Sequence, residues 1–152
     1  MPTHYRGEQK DVLALDTFIK FTRAASALET RIFKETIIED LTPSQFGVLE
    51  ILLHLGSLCQ GELSTKLLRS TGNMTMVLDN LEKRGFVRRE RDMADRRMVM
   101  IHLTPDGQEI IERVFPQVVA KISSEFAVLS PEEQEEFGRL CKILGIQSRQ
   151  QA

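Results

Sequence analysis

The chain has no tryptophan, one tyrosine and two cysteines, and no apolar run long enough to cross a bilayer. Each shortage removes a class of protein. The richest apolar stretch, FGVLEILLHLG at 46–56, is broken by Glu50 and His54 and falls far short of the roughly 20 residues of a membrane helix. The polar start MPTHYRGEQKD lacks the apolar segment of a secretion signal, so a cytoplasmic protein is expected. Cys59 and Cys141 are too few and too far apart for a disulfide framework and read as reduced thiols. No glycine-rich phosphate loop, serine elbow or paired-carboxylate motif is present, and His4, His54 and His102 are scattered. His54 and Cys59 are five apart across a glycine, a spacing of no standard zinc site. Neither an enzyme nor a metal or cofactor is expected. Repeats, low-complexity tracts and Gly/Ser linkers are also missing, so the 152 residues are read as one domain.

What is present is an uneven distribution of charge. Residues 1–59 carry a net −2 and residues 104–152 a net −3, whereas residues 60–103 hold nine basic and six acidic side chains, a net +3. The basic groups come in clusters: KR at 83–84, RRER at 88–91 and RR at 96–97. A basic middle in an acidic chain is the electrostatic footprint of phosphate binding on one face, or else a solvated charged surface.

Hydrophobic periodicity sets the elements. A long helix is predicted over 11–39, with Val12, Leu15, Ile19, Leu28, Ile32 and Phe33 at helical spacing. Thr42-Pro43-Ser44-Gln45 is a capping signature that opens a helix over 43–55 ending at Gly56, with Phe46, Leu49 and Leu53 on one stripe. Short helices at about 60–68 and 72–84 follow, the second with Met74, Leu78 and Leu81 in phase and Gly85 closing it. The period then changes to two: FVRRER at 86–91 and RMVMIHL at 97–103 read as strands joined by the polar DMADR. A helix from Thr104-Pro105 to about 128 comes next, with Ile110, Ile111, Val114, Val118 and Ile122 inward and Pro116 as a potential kink. Ser130-Pro131-Glu132-Glu133 caps a last helix ending at Gly145; its glutamates complement the helix dipole.

Two short helices and a basic hairpin describe a winged helix-turn-helix. Burying Met74, Leu78 and Leu81 leaves Thr71, Asn73, Met76, Asn80 and Lys83 on or near the opposite face, with Thr75 at its edge, free to enter a major groove. Asn and Thr at a helix start bind base edges or phosphates, or cap the helix. In the hairpin, Arg88, Arg89 and Arg91 line one strand and Arg96 and Arg97 begin the next. An arginine at the tip can reach a narrow minor groove, with Asp92 and Asp95 as its braces.

LTPSQFGVLEIL at 41–52, ELSTKLLRSTGNMTMVLDNLEKRGFVRRERD at 62–92 and DRRMVMIHLTPDG at 95–107 together resemble the MarR regulators of bacteria and archaea, over about residues 11–145. The wing segment from Asp92 to Arg97, followed by an apolar strand and Leu-Thr, looks like the family's hallmark, with Met93 where the family often has proline. The resemblance implies that Arg97 is the minor-groove arginine and Asp95 its brace, with Thr71, Asn73 and Thr75 on the recognition helix. It also implies a homodimer whose first and last two helices interlock, and release from DNA by small phenolic or other anionic aromatic effectors. Phe18, Phe21, Phe46 and His54 are candidate walls for such an effector, although aromatic residues at helical spacing also serve as core. One branch of the family senses peroxide through a cysteine in its first helix, and residues 1–58 contain none. Cys59, at a helix start, is open to dipole activation or to a packing role, and Cys141 reads as packing.

The expectation is a mainly α protein with a small β-hairpin wing, one domain with dimerisation helices at about 11–39 and 105–146 around a DNA-binding lobe at about 41–103. Its expected partners are double-stranded DNA with a pseudo-palindromic operator, a second copy of itself, and a small aromatic or anionic effector. Its expected role is a transcriptional regulator, as a repressor. A protein-interaction module using the same fold, and a thiol-based sensor at Cys59, are the competing readings.

Overall fold

The computed structural model describes residues 3–35, 39–67 and 71–150, with the backbone alone at residues 35, 71, 72 and 147–150. In chain order the elements are α1 (Gln9–Glu35), α2 (Pro43–Leu55), β1 (Leu58–Cys59), α3 (Gln60–Leu67), α4 (Thr71–Lys83), β2 (Val87–Arg91), β3 (Val99–Leu103), α5 (Pro105–Phe126) and α6 (Pro131–Gln150). Both capping signatures are realised. Thr42 Oγ1 accepts from the Gln45 main chain while Gln45 Oε1 accepts from the Thr42 main chain, at 3.2 and 3.0 Å. Ser130 and Glu133 make the same reciprocal pair at 3.1 and 2.8 Å. Each pair satisfies N–H groups that the first helical turn leaves open.

The sheet has three strands in the order β1-β3-β2, all antiparallel, with Val87 opposite Leu103 and Arg91 opposite Val99. The first strand corrects the sequence reading: Cys59 was placed at a helix start, and it closes β1 opposite Met100 before α3 begins. Two residues offer no alternation to detect. One helix end and one expected kink also differ. The last helix continues past Gly145 to Gln150, because a glycine weakens a helix without obliging it to stop, and α5 runs unbroken through Pro116. The first helix, read to residue 39, does not reach it: Glu39 stands in a turn at φ +47°, and residues 36–38, together with residue 68, read as the end of the third helix, lie outside the described residues.

One core joins α2, α3, α4, α5 and the sheet. Val48, Leu49, Leu63, Met74, Leu78, Leu81, Ile101, Ile111 and Val114 are fully buried in it. Gly85, with φ +79°, turns the chain out of α4, and its carbonyl accepts from Thr104 Oγ1 at 2.6 Å, so the cap of α5 is latched to the base of the wing. Gly107 lies against the Phe86 carbonyl, closer than any Cβ could approach.

The outer helices are different. Among the described side chains α1 buries only Ile32, and α6 buries none. Leu13, Phe18 and Phe21 on α1, Ile122 on α5, and Phe137, Leu140, Ile143 and Leu144 on α6 are all exposed. The inward placement expected for Ile122 is therefore not met within one chain, and Leu15 is likewise exposed.

Candidate nucleic-acid interface

The exposed face of α4 follows from its buried one. With Met74, Leu78 and Leu81 in the core, Asn73, Thr75, Met76, Asn80 and Lys83 are turned to solvent, and Met76 is 70% exposed. Leaving a large thioether in water is unfavourable unless something covers it, so a flexible apolar side chain here suits contact with a thymine methyl. Thr71 is the first residue of α4, and its side chain lies outside the described residues.

The polar residues of this face are tied to the scaffold. Gln60 Nε2 donates to Thr75 Oγ1 at 2.9 Å, joining the start of α3 to α4. Gln45 Nε2 donates to Asn80 Oδ1 at 2.8 Å, joining α2 to α4. Arg84 donates to the carbonyls of Glu39 and Asp40 and lies 4.9 Å from the centre of the Phe86 ring. Glu39 and Asp40, at φ +47° and +62°, form a left-handed turn, and Arg113 grips the Glu39 carboxylate with two hydrogen bonds of 2.6 Å. That grip holds the Glu39 carboxyl below its ordinary range.

The wing arginines divide into braces and free groups. Arg89 is a brace: it reaches Asp79 at 2.6 Å and Glu82 at 3.4 Å, fixing β2 to α4. Arg91 donates to the Arg96 carbonyl at 2.9 Å and shapes the tip. Arg88 pairs with Glu90 at 2.6 Å, which holds the Glu90 carboxyl low, and Glu90 also lies 3.3 Å from His102 Nε2. Lys83 and Arg96 are exposed. Arg97 is held by one carboxylate and still open to solvent: Asp95 Oδ1 accepts from its main chain and its Nε at 3.1 Å, Asp95 Oδ2 accepts from its Nη2 at 3.3 Å, and its side chain is 91% exposed. These bonds, the guanidinium first, keep the Asp95 carboxyl below its usual range. Asp92, expected to be a second brace, instead accepts from the Ala94 main chain at 2.8 Å and folds the tip, where Met93 is 93% exposed. A turn-forming aspartate and an arginine brace look alike in sequence, since both are carboxylates directly beside a basic cluster.

The aromatic candidates fall into two sets. Phe46 is in the core, its ring centre 5.7 Å from that of Phe33 and 6.3 Å from that of Phe115. The His54 ring also lies against Phe115, at 4.9 Å, and its Nδ1 faces the Glu50 carbonyl at 2.9 Å. Phe18 and Phe21 lie in the exposed half of α1. A cleft of about 480 Å³ beside His54 is lined also by Glu50, Leu55 and Lys66. Cys59 is half-buried, and hydrogen bonds from its main chain and thiol hold the Glu62 carboxyl low. The residues that sequence reasoning missed are the positioning ones, Gln45, Glu82 and Arg84. Gln45 was legible only as a helix cap.

The sequence profile of the MarR family matches residues 41–99, from the start of α2 into β3. The chain is 33% identical over 142 residues to YkoM, an uncharacterized HTH-type transcriptional regulator of Bacillus subtilis, covering 93% of this chain and 92% of that one. It is 31% identical over 137 residues to MhqR, an HTH-type transcriptional regulator of the same bacterium, covering 90% and 94%. Among solved structures, BpsR of Bordetella bronchiseptica superposes with a TM-score of 0.76 at 28% identity, over 85% of this chain and 98% of that one. The DNA binding of that protein is regulated by 6-hydroxynicotinic acid.

Proposed function

Because the chain belongs to the MarR family of DNA-binding transcriptional regulators, we propose that it is a homodimeric repressor that reads a pseudo-palindromic operator and is released by a small anionic aromatic effector. Helix α4 enters the major groove through Thr71, Asn73, Thr75, Met76 and Asn80, with Lys83 and Arg88 near phosphates. The wing lies along the neighbouring minor groove, Arg96 toward the backbone and Arg97 inside, directed by Asp95. The observation that carries this reading is Arg97: its guanidinium is bonded through Nε and Nη2 to the Asp95 carboxylate while its side chain is 91% exposed, so the carboxylate orients a cation that stays open to solvent at the wing. The protein acts in the cytoplasm, on DNA.

The outer helices, about 11–39 and 105–146, supply the dimer, and 41–103 the reading lobe. Support comes from the exposed Leu13 and Phe18 of α1 and Leu140 and Leu144 of α6, an apolar surface on two helices that water disfavours. The effector site is placed near Phe46 and His54, which both pack on Phe115. Phe18 and Phe21 reach such a site by way of a partner's α1. The relationship to BpsR supports an effector that joins an aromatic ring to a carboxylate.

The test is binding of purified protein to duplex DNA across a salt series. Affinity falls steeply with salt if phosphates are neutralised. Arg97→Ala keeps the fold and weakens binding by about tenfold or more, in line with 1–3 kcal/mol for one good DNA contact. A salt-independent interaction, or unchanged affinity in that variant, removes the wing from the interface.

A further inference from the structure

One residue of the reading face has its hydrogen-bonding polarity set from behind. The Thr42 main-chain N–H, which can only donate, lies 3.0 Å from one terminal atom of the Gln45 side chain. That atom is therefore the oxygen, and Arg84 Nη1, another obligate donor, lies 3.4 Å from the same atom. The other terminal atom of Gln45 is then the amino nitrogen. It stands 2.8 Å from a terminal atom of Asn80, which must accept and so is Oδ1. Gln45 is only 7% exposed, so water does not compete freely for these bonds. The cleft of about 310 Å³ at this point is lined by Gln45 from α2 and by Asn73, Met76 and Asn80 from α4. Asn80 thus turns its oxygen inward to Gln45 and leaves its amino group to face outward.

We infer that Gln45 is a positioning residue that makes Asn80 a donor-only reader of the major groove. Resting on the proposed placement of α4 in that groove, this names what Asn80 takes there: a base edge that accepts, guanine N7 or O6, adenine N7 or thymine O4. A free asparagine pairs with adenine by donating to N7 and accepting from N6. With Oδ1 turned inward onto Gln45, it is directed away from the groove rather than used up, so that bidentate pairing is lost, and cytosine, whose major-groove edge offers only an amino donor, is rejected.

The experiment is selection of binding sites from random duplex DNA by the full-length protein and three variants, with folding checked by circular dichroism. Gln45→Glu keeps the shape and both acceptor contacts, to Thr42 and Arg84, but has no N–H for Asn80. Asn80 then turns its amino group inward and presents oxygen. At one position per half-site the wild-type protein excludes cytosine on the contacted strand, and the variant selects cytosine there in place of the original base. Affinity for the original site falls about tenfold, the usual penalty of one mismatched pair, and returns on the switched site. Asn80→Ala, at an exposed position that the fold tolerates, makes that same position degenerate and leaves the others unchanged. Arg97→Ala, as a control for general affinity, weakens binding without altering this position.

If Asn80→Ala instead weakens every sequence equally, Asn80 contacts phosphate and the inference is overturned. A folded Gln45→Glu protein that still excludes cytosine at this position overturns it too, since Gln45 then sets nothing. In both cases the wild-type protein still selects a site, and the proposed function stands. Failure of the wild-type protein to select any common sequence overturns both together.

Discussion

At the scale of single residues, the interface depends on which charges are already occupied. Of the wing arginines, Arg88, Arg89 and Arg91 have partners within the protein, and Arg97, paired with Asp95 through Nε and Nη2, keeps a side chain that is 91% exposed. Removing the anchor separates direction from charge. Asp95→Ala is expected to weaken DNA binding several-fold, less than Arg97→Ala, because the arginine remains but loses its preferred direction; titration of both variants on one operator checks the order. Carboxylates such as Asp16, Glu39 and Glu125 share a second consequence, each depressed first by a hydrogen bond to Lys20, Arg113 and Arg31 respectively. A carboxyl with a lower pKa folded than unfolded contributes stability above its unfolded value and loses it as pH falls through its folded one. Melting temperature is therefore expected to hold through neutral pH and to fall below the ordinary glutamate value of 4.5. In Arg113→Ala the decline on acidification is shallower; a parallel decline contradicts a role for the Glu39 pair.

At the scale of elements, stability and legibility part company. Leu78 is fully buried under the reading face of α4, and Leu78→Ala is expected to cost about 2–5 kcal/mol in chemical denaturation. Gly107→Ala is expected to be as damaging for another reason: its Cβ meets the Phe86 carbonyl oxygen, a backbone atom that cannot move without pulling the wing from α5. Thermal melts that leave Gly107→Ala at the wild-type temperature contradict this packing. The reciprocal caps at Thr42 and Ser130 were legible because each is a local pattern of four residues. The buried stripe of α4 was legible from its period, and its exposed face followed by subtraction. Strand β1 was not, being two residues held by pairing with β3, a partner some forty residues away. Neither was the polarity of Asn80, since a glutamine seen as a cap carries no sign of what its second end will touch.

At the scale of the whole molecule, one chain leaves its outer helices unfinished. Sequence periodicity treated Leu15 and Ile122 as inward, and the structure exposes them both. Amphipathic spacing marks a face that must be covered without saying whether the cover belongs to the same chain. Leu144 is 61% exposed on α6, so Leu144→Glu is expected to leave the monomer fold intact, to shift sedimentation from dimer to monomer and to weaken operator binding by much more than tenfold. A variant that still sediments as a dimer removes α6 from the interface. The central claim is that α4 and the wing form a sequence reader, doubled by a two-fold axis. Selection of bound sites from a random duplex pool by the purified wild-type protein tests it most directly. A two-fold symmetric site is expected, its half-sites about one DNA turn, roughly 34 Å, apart. Retention that is sensitive to salt but shares no sequence, or no retention at all, would contradict it.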